Sequence, residues 1–171
     1  MEHLKELVRA IPDFPIPGIL FRDVTPLLRD PRGLRDVVDR FAEDFRGAGI
    51  EAVAGIESRG FIFGAPLAMA LGVGFVPIRK PGRLPYDKVS REYALEYGTN
   101  VLEMHADAVR PGERVLLVDD LLATGGTARA SAHLVEAIGG VVAAVAFVIE
   151  LEFLEGRRAL DGYDVRSLIR Y

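Results

Sequence analysis

The sequence predicts an α/β fold with a mostly parallel sheet flanked by helices, on three observations. Short, wholly apolar runs recur at Ala52–Ile56, Phe75–Ile78, Val115–Val118 and Val141–Ile149. Segments between them carry apolar residues at helical spacing. One run ends on two adjacent acids and a glycine-rich turn, Asp119-Asp120-Leu121-Leu122-Ala123-Thr124-Gly125-Gly126-Thr127. Runs without polar alternation suit strands covered on both faces, and intervening helices supply the cover.

Taken in order, Asp30-Pro31 opens the first clear helix, with an aspartate to cap free N–H groups and a proline at the first helical position. Leu34, Val37, Val38, Phe41, Ala42 and Phe45 keep helical spacing, and Gly47 and Gly49 end it. The strand Ala52–Ile56 runs into Glu57-Ser58-Arg59-Gly60, followed by a helix of small residues from about Phe61 to Leu71. Phe75–Ile78 is the next buried strand. Val115–Val118 follows later, then a helix from about Thr127 to Ile138 and the strand Val141–Ile149. Between Arg79 and Asn100 the pattern breaks. Arg79-Lys80-Pro81-Gly82-Arg83-Leu84-Pro85-Tyr86 is basic and proline-bearing, and Arg91 to Tyr97 reads as one or two weakly alternating strands. Such an excursion inside a compact α/β domain reads as a lid over a site, with a plain surface loop as the alternative.

At 171 residues, with 50% hydrophobic and 27% charged residues, the chain is expected to be one domain, residues 1–171, with a full core. There is no cysteine, which excludes a disulfide scaffold, a thiolate metal site and a thiol nucleophile. The net charge of −4 argues against a dedicated nucleic-acid binder, though a pocket on an acidic protein can still be basic. The longest apolar run, Val141–Ile149, is too short for a bilayer, and Met1–Glu6 lacks the apolar core of a signal peptide. The expectation is a cytoplasmic protein with no membrane partner. His3, His105 and His133 are scattered without metal-like spacing and read as surface or helix residues.

In parallel sheets, ligands bind beyond the carboxyl ends of strands, which is where Asp119 and Asp120 fall. Gly125 and Gly126 let the backbone turn tightly, and the helix that follows offers free N–H groups to a phosphate. Thr124 and Thr127 add hydroxyls, and the two carboxylates can accept hydrogen bonds from sugar hydroxyls. The combination suits a ribose 5-phosphate. Four apolar residues before Asp-Asp also fit the metal-holding strand of a nucleotide hydrolase, but none of the three lysines follows a glycine, so the phosphate loop of that class is missing. A dinucleotide-binding glycine fingerprint is missing too.

The stretch Val115–Thr127 resembles the phosphoribosyl-pyrophosphate motif of the type I phosphoribosyltransferases. Phe14-Pro15-Ile16-Pro17-Gly18-Ile19-Leu20-Phe21-Arg22-Asp23, Glu57-Ser58-Arg59-Gly60-Phe61-Ile62-Phe63-Gly64 and Leu95-Glu96-Tyr97-Gly98, in that order, narrow the resemblance to the adenine phosphoribosyltransferases. It extends from about residue 11 to the C-terminus. It implies a type I phosphoribosyltransferase-like fold, a base-recognition arm over residues 1–30 and a flexible lid at about 79–100. The implied reaction joins adenine at N9 to the 5-phosphoribosyl group of phosphoribosyl pyrophosphate, giving AMP and pyrophosphate, with magnesium as cofactor and a homodimer as the working state.

The same resemblance implies the site. Ala123, Thr124, Gly125, Gly126 and Thr127 would bind the 5-phosphate, and Asp119 and Asp120 the ribose hydroxyls, directly or through magnesium water. Ser58 and Arg59 would bind pyrophosphate, helped by Arg79, Lys80 and Arg83 at the start of the lid. Glu96 would be the catalytic group, facing N7 of adenine. Phe21 would stack on the base while the backbones of Leu20 and Arg22 read its edge. No residue is expected to be a firm direct metal ligand, because magnesium on a diphosphate keeps several waters. Two alternatives stay open: a transferase for xanthine or another 6-oxo purine, and a regulatory nucleotide-sensing protein on the same fold.

Overall fold

The computed structural model describes residues 2–94 and 99–171. A short helix, α1 (Glu2–Glu6), precedes an antiparallel hairpin of β1 (Arg9–Pro12) and β2 (Leu20–Asp23). Helix α2 (Thr25–Arg29) leads to α3 (Pro31–Phe45), then β3 (Ala52–Ile56), α4 (Arg59–Leu71) and β4 (Gly74–Ile78). An antiparallel ribbon of β5 (Lys88–Ala94) and β6 (Thr99–His105) follows, then β7 (Arg114–Leu122), α5 (Gly126–Ala137) and β8 (Val141–Glu150). Two 3₁₀ turns, Glu152–Leu154 and Gly156–Leu160, come before β9 (Val165–Arg170).

Five of these strands form one parallel sheet in the order β4-β3-β7-β8-β9. Side chains alternate across each strand, so the sheet divides the core in two. Val53, Leu116, Val118, Ala146 and Val148 face Phe41, Phe45, Phe63 and Leu67 of α3 and α4. Ala52, Ala54, Val115, Leu117, Val145 and Phe147 face Leu134 and Val135 of α5 and Leu102 and Met104 of β6. Cover on both sides explains why the central strands read as unbroken apolar runs. Among the described residues no helix is long and apolar enough to cross a membrane.

The expected helices are present, with shifted ends. Asp30 caps α3 by accepting from Arg32 N–H at 3.0 Å and Gly33 N–H at 2.6 Å. Helix α4 begins at Arg59 rather than near Phe61, so the arginine is its first helical residue. Strand β7 continues past Val118 to Leu122, because the long β8 goes on pairing with it: Asp119 lies opposite Phe147 and Leu122 opposite Glu150. The acidic pair therefore occupies the sixth and seventh positions of a nine-residue strand, held by its ladder.

Of the stretch Arg91–Tyr97, expected to hold one or two strands, residues Arg91–Ala94 belong to β5; β6 begins only at Thr99, and residues 95–98 lie outside the described residues. Strand β6 continues beyond Asn100 and places Leu102 and Met104 in the core. The excursion is therefore anchored at its far end.

The Asp30 cap gives a stability test. Losing such a cap costs about 1 kcal/mol, worth roughly 2–4 °C in Tm for a chain of this size. Asp30→Ala is expected to lower the midpoint of thermal unfolding by that amount; an unchanged midpoint would contradict the capping role.

Candidate active site

At the carboxyl ends of β3 and β7 the chain leaves a cleft of about 380 Å³. It is lined by Ser58 and Arg59 from the start of α4, Asp119 and Asp120 from β7, and the loop Ala123–Thr127. Lys80, Pro81 and Tyr93 close one side from the excursion. Ten of the residues singled out in the sequence thus share one cavity: Ser58, Arg59, Lys80, Asp119, Asp120, Ala123, Thr124, Gly125, Gly126 and Thr127.

The loop owes its shape to Gly125, the residue before α5, with φ at 84°. A side chain there would be strained by that φ and would collide with the Gly156 carbonyl oxygen. Among the described residues no side chain caps α5, and its first turn, Gly126–Ala128, lines the cleft, which leaves its free N–H groups to a ligand there. Thr127 Oγ1 donates to Tyr93 Oη at 3.2 Å, tying the ribbon to this loop.

Charges in the cleft are arranged in opposed sets. Asp120 is buried, and its carboxylate accepts a short hydrogen bond from Arg59 Nε. Asp119 Oδ1 accepts from the Asp120 N–H at 2.9 Å. Desolvation pushes the Asp119 carboxyl well above the usual carboxylate range, and the Asp120 charge adds to the effect. Burial works against the charge on Arg59, but Asp120 first, then Asp119 and Asp23, hold the guanidinium protonated. Asp23, at the end of β2, is kept below its usual range chiefly by the Thr25 hydroxyl, with Arg9 and Arg59 assisting. The field of Arg59 therefore reaches the N-terminal arm, which stands beside the cleft.

Other predicted residues lie outside the lining. Arg79 is engaged with Glu57, through Nη2 to Oε1 at 3.2 Å and Nε to Oε2 at 3.3 Å, and donates to the Arg83 carbonyl at 3.1 Å. The Arg83 side chain is exposed. Leu20, Phe21 and Arg22 belong to the hairpin beside the cleft: the Phe21 ring meets Phe14 edge-on at 5.1 Å, and the Arg22 guanidinium stacks 3.7 Å from the centre of the Tyr171 ring. Glu96 lies outside the described residues.

Several contributors were not apparent in the sequence. Glu57 organises the start of the excursion by holding Arg79 and accepting from the Lys80 N–H at 2.9 Å. Burial works to raise the Glu57 carboxyl, but that N–H and the Arg79 guanidinium outweigh it and keep it low. The buried Glu103 accepts from Lys88 Nζ at 3.0 Å and from the Gly82 N–H at 3.0 Å, anchoring the same segment. Its only signal in the sequence is an acid between two apolar residues of a strand. His105 ends β6, half-buried with Nε2 enclosed and its ring 6.1 Å from that of Tyr86, so it is a strand residue rather than a helix residue.

A family model for the phosphoribosyl transferase domain matches residues 25–169. The adenine phosphoribosyltransferase of Methylococcus capsulatus is 61% identical over 171 residues, covering 100% of both chains. The chain belongs to the adenine phosphoribosyltransferase family. The crystal structure of an adenine phosphoribosyltransferase from Thermoanaerobacter pseudethanolicus has a TM-score of 0.97 at 55% identity, covering 99% of each chain. The Saccharomyces cerevisiae enzyme, solved with an imino-altritol bisphosphate and adenine, has a TM-score of 0.93 at 42% identity, covering 98% of this chain and 97% of that one. The type I phosphoribosyltransferase fold expected from the sequence is thus the fold observed, with Asp119, Asp120 and the glycine turn lining the cleft.

Asp119 provides a test with a defined sign. A carboxyl whose pKa is raised by folding binds protons more tightly in the folded state, so stability falls as pH rises through the window above the ordinary aspartate value of about 4. Asp119→Asn removes that penalty. The variant is expected to melt above the wild type at pH 8, with the gap closing as pH approaches 4. A wild type that melts higher at pH 8 would contradict the assignment.

Proposed function

We propose that this chain transfers the 5-phosphoribosyl group of phosphoribosyl pyrophosphate to N9 of adenine, releasing pyrophosphate and forming AMP with inversion at C1 of the ribose. The observation that carries the reading is the juxtaposition, in one cleft, of a phosphate-shaped loop, two carboxylates suited to sugar hydroxyls, and Arg59 at the head of a helix. The family's name and the adenine-bound yeast relative support adenine as the base.

In this reading the 5-phosphate sits on the N–H groups of Ala123–Thr127, with the hydroxyls of Thr124 and Thr127. Asp119 and Asp120 accept hydrogen bonds from the ribose 2- and 3-hydroxyls. Arg59 leaves Asp120 to the sugar and turns its fork to the departing diphosphate, with Ser58 and Lys80 beside it. Arg79 and Arg83 contribute by holding the segment that carries Lys80. Bond breaking at C1 builds positive charge on the sugar and negative charge on the diphosphate, so positioning and electrostatics supply most of the catalysis. Glu96 shares a proton with N7 of adenine as N9 forms its bond. The base lies against Phe21, with the Leu20 and Arg22 backbones reading its edge.

The donor set also fits magnesium. Among the described residues no group of three or more acidic, histidine or cysteine side chains could cage a metal. The pair Asp119 and Asp120 suits an ion that keeps most ligands from diphosphate and water. When bound, that ion would neutralise diphosphate charge. The ribbon and the preceding basic segment act as a lid that excludes water from the reactive sugar. We further read the working form as a cytoplasmic homodimer of single-domain subunits, supported by the family likeness and by exposed Ile62 and Met69 on α4.

The reading is tested by incubating the protein with phosphoribosyl pyrophosphate, magnesium and each purine base in turn. AMP from adenine, with little product from hypoxanthine, guanine or xanthine, is expected; no AMP from adenine would overturn it. Glu96→Gln is expected to lower kcat by about 100-fold with a small change in either KM. Wild-type turnover would remove Glu96 from the chemistry. The double substitution Asp119→Asn with Asp120→Asn is expected to raise KM for phosphoribosyl pyrophosphate by about tenfold or more, and unchanged kinetics would refute the role of the pair.

A further inference from the structure

At its front the phosphate loop is tied to the ribbon by Thr127 Oγ1 on Tyr93 Oη, but Gly125 precedes α5 without a side-chain cap. Support comes from behind. Gly156, in the second 3₁₀ turn, packs backbone to backbone on the loop. A side chain at Gly156 would collide with the Ala123 carbonyl oxygen and come within 2.9 Å of Leu122 Cδ1, while one at Gly125 would collide with the Gly156 carbonyl. The two glycines thus allow one peptide to lie directly on another, on the face of the loop away from the ligand.

Gly156 is in turn fixed by the next residue. The Arg157 guanidinium grips the buried Glu150 with both arms, Nε to Oε1 at 2.6 Å and Nη2 to Oε2 at 2.8 Å. It also donates to the Val165 carbonyl at 2.9 Å and to Ser167 Oγ at 3.2 Å. The Ser167 hydroxyl donates a short hydrogen bond to Glu150 Oε2. Burial works to raise the Glu150 carboxyl, but Arg157 and Ser167 outweigh it, so the pair is fully charged at neutral pH. Glu150 itself is held to the strand that feeds the loop. It lies opposite Leu122 in the ladder, and the Leu151 N–H donates to the Leu122 carbonyl at 3.0 Å. The path from carboxylate to loop therefore has rigid links throughout: Glu150 to Arg157, Arg157 to Gly156, and Gly156 to Ala123 and Gly125. A buried ion pair is a poor source of net stability, since apolar residues of the same volume often serve as well. It is a good source of fixed geometry, because a guanidinium fork accepts a carboxylate in one orientation.

We propose that Glu150 and Arg157 are positioning residues for the phosphate-binding loop: their bidentate pair presses Gly156 against the back of Ala123–Gly125 and holds the loop's N–H groups in the shape a 5-phosphate requires. The inference rests on the function proposed above and assigns the two residues to the phosphoribosyl half of the site alone. Neither touches the ligand.

The test uses the full chain and three variants, Gly156→Ala, Glu150→Gln and Arg157→Lys. Ribose 5-phosphate binding is measured by calorimetry, and KM for phosphoribosyl pyrophosphate and for adenine by steady-state kinetics. Each variant is expected to bind ribose 5-phosphate about tenfold or more weakly and to raise KM for phosphoribosyl pyrophosphate to match, with KM for adenine within about twofold of wild type. Gly156→Ala keeps both charged side chains and so tests the packing behind the loop, while a thermal melt of each variant checks that it is folded. Unchanged ribose 5-phosphate affinity in Glu150→Gln and Arg157→Lys, unchanged affinity in Gly156→Ala, or equal weakening toward both substrates in all three variants would overturn the proposal, as would a wild type that does not bind ribose 5-phosphate. A wild type that binds ribose 5-phosphate yet makes no AMP would sink the proposed activity, while the binding comparison would still decide the role of the clamp.

Discussion

Two neighbouring carboxylates at the end of the central strand set the terms for the rest of the site. Asp119 and Asp120 are brought to the floor of the cleft by the β7–β8 ladder, which pairs Asp119 with Phe147 and continues to Leu122. Like charges this close and this dry are unfavourable together. The protein meets the conflict with one cation, Arg59, placed on Asp120 by the first turn of α4, while Asp119 is left with a raised proton affinity. An anionic ligand meets the uncapped start of α5 directly, but reaches the Arg59 guanidinium only by exchanging partners with Asp120.

The elements around the cleft share a design in which buried or half-buried acids hold loops. Glu57 fixes the backbone of Lys80 and the side chain of Arg79, and Glu103 fixes Lys88 and Gly82. Glu150 fixes Arg157 and, through it, the turn behind the phosphate loop. On the other side, Tyr171 receives the Arg22 guanidinium and seats the hairpin carrying Phe21. Each loop is irregular where a ligand would meet it and tied down where it would not, which keeps backbone N–H groups available without letting the chain wander.

What the sequence reveals follows from locality. Central strands buried on both faces print themselves as apolar runs, so Ala52–Ile56 and Val141–Ile149 could be read directly, as could the Asp30-Pro31 start of α3. Strand β9, at the sheet edge, alternates with Arg166 and Arg170 and has no such signature. The hairpin of β1 and β2 is four residues a side with none of them buried, so periodicity has little to act on. In the site, the loop Ala123–Thr127 and the acidic pair are contiguous and therefore legible. The groups that hold them are not: Arg59 meets Asp120 across 61 positions and Arg79 meets Glu57 across 22. Nothing local in the chain specifies such partners; the sheet order does. For the same reason Arg79 and Arg83 look in the sequence like free cations, and only the fold reveals that Glu57 and the Arg83 carbonyl occupy the Arg79 guanidinium.

The central claim is that Arg59 is shared, held by Asp120 until a diphosphate takes it. The most direct measurement follows the Nε–Hε resonance of Arg59 by nuclear magnetic resonance in arginine-labelled protein, assigned with Arg59→Lys. In the free protein the resonance is expected at the position of a carboxylate-bound guanidinium, and Asp120→Asn should move it. Adding phosphoribosyl pyrophosphate with magnesium should move the wild-type resonance to a phosphate-bound position and abolish its dependence on Asp120. A resonance that stays with Asp120 after the site is saturated would contradict the account.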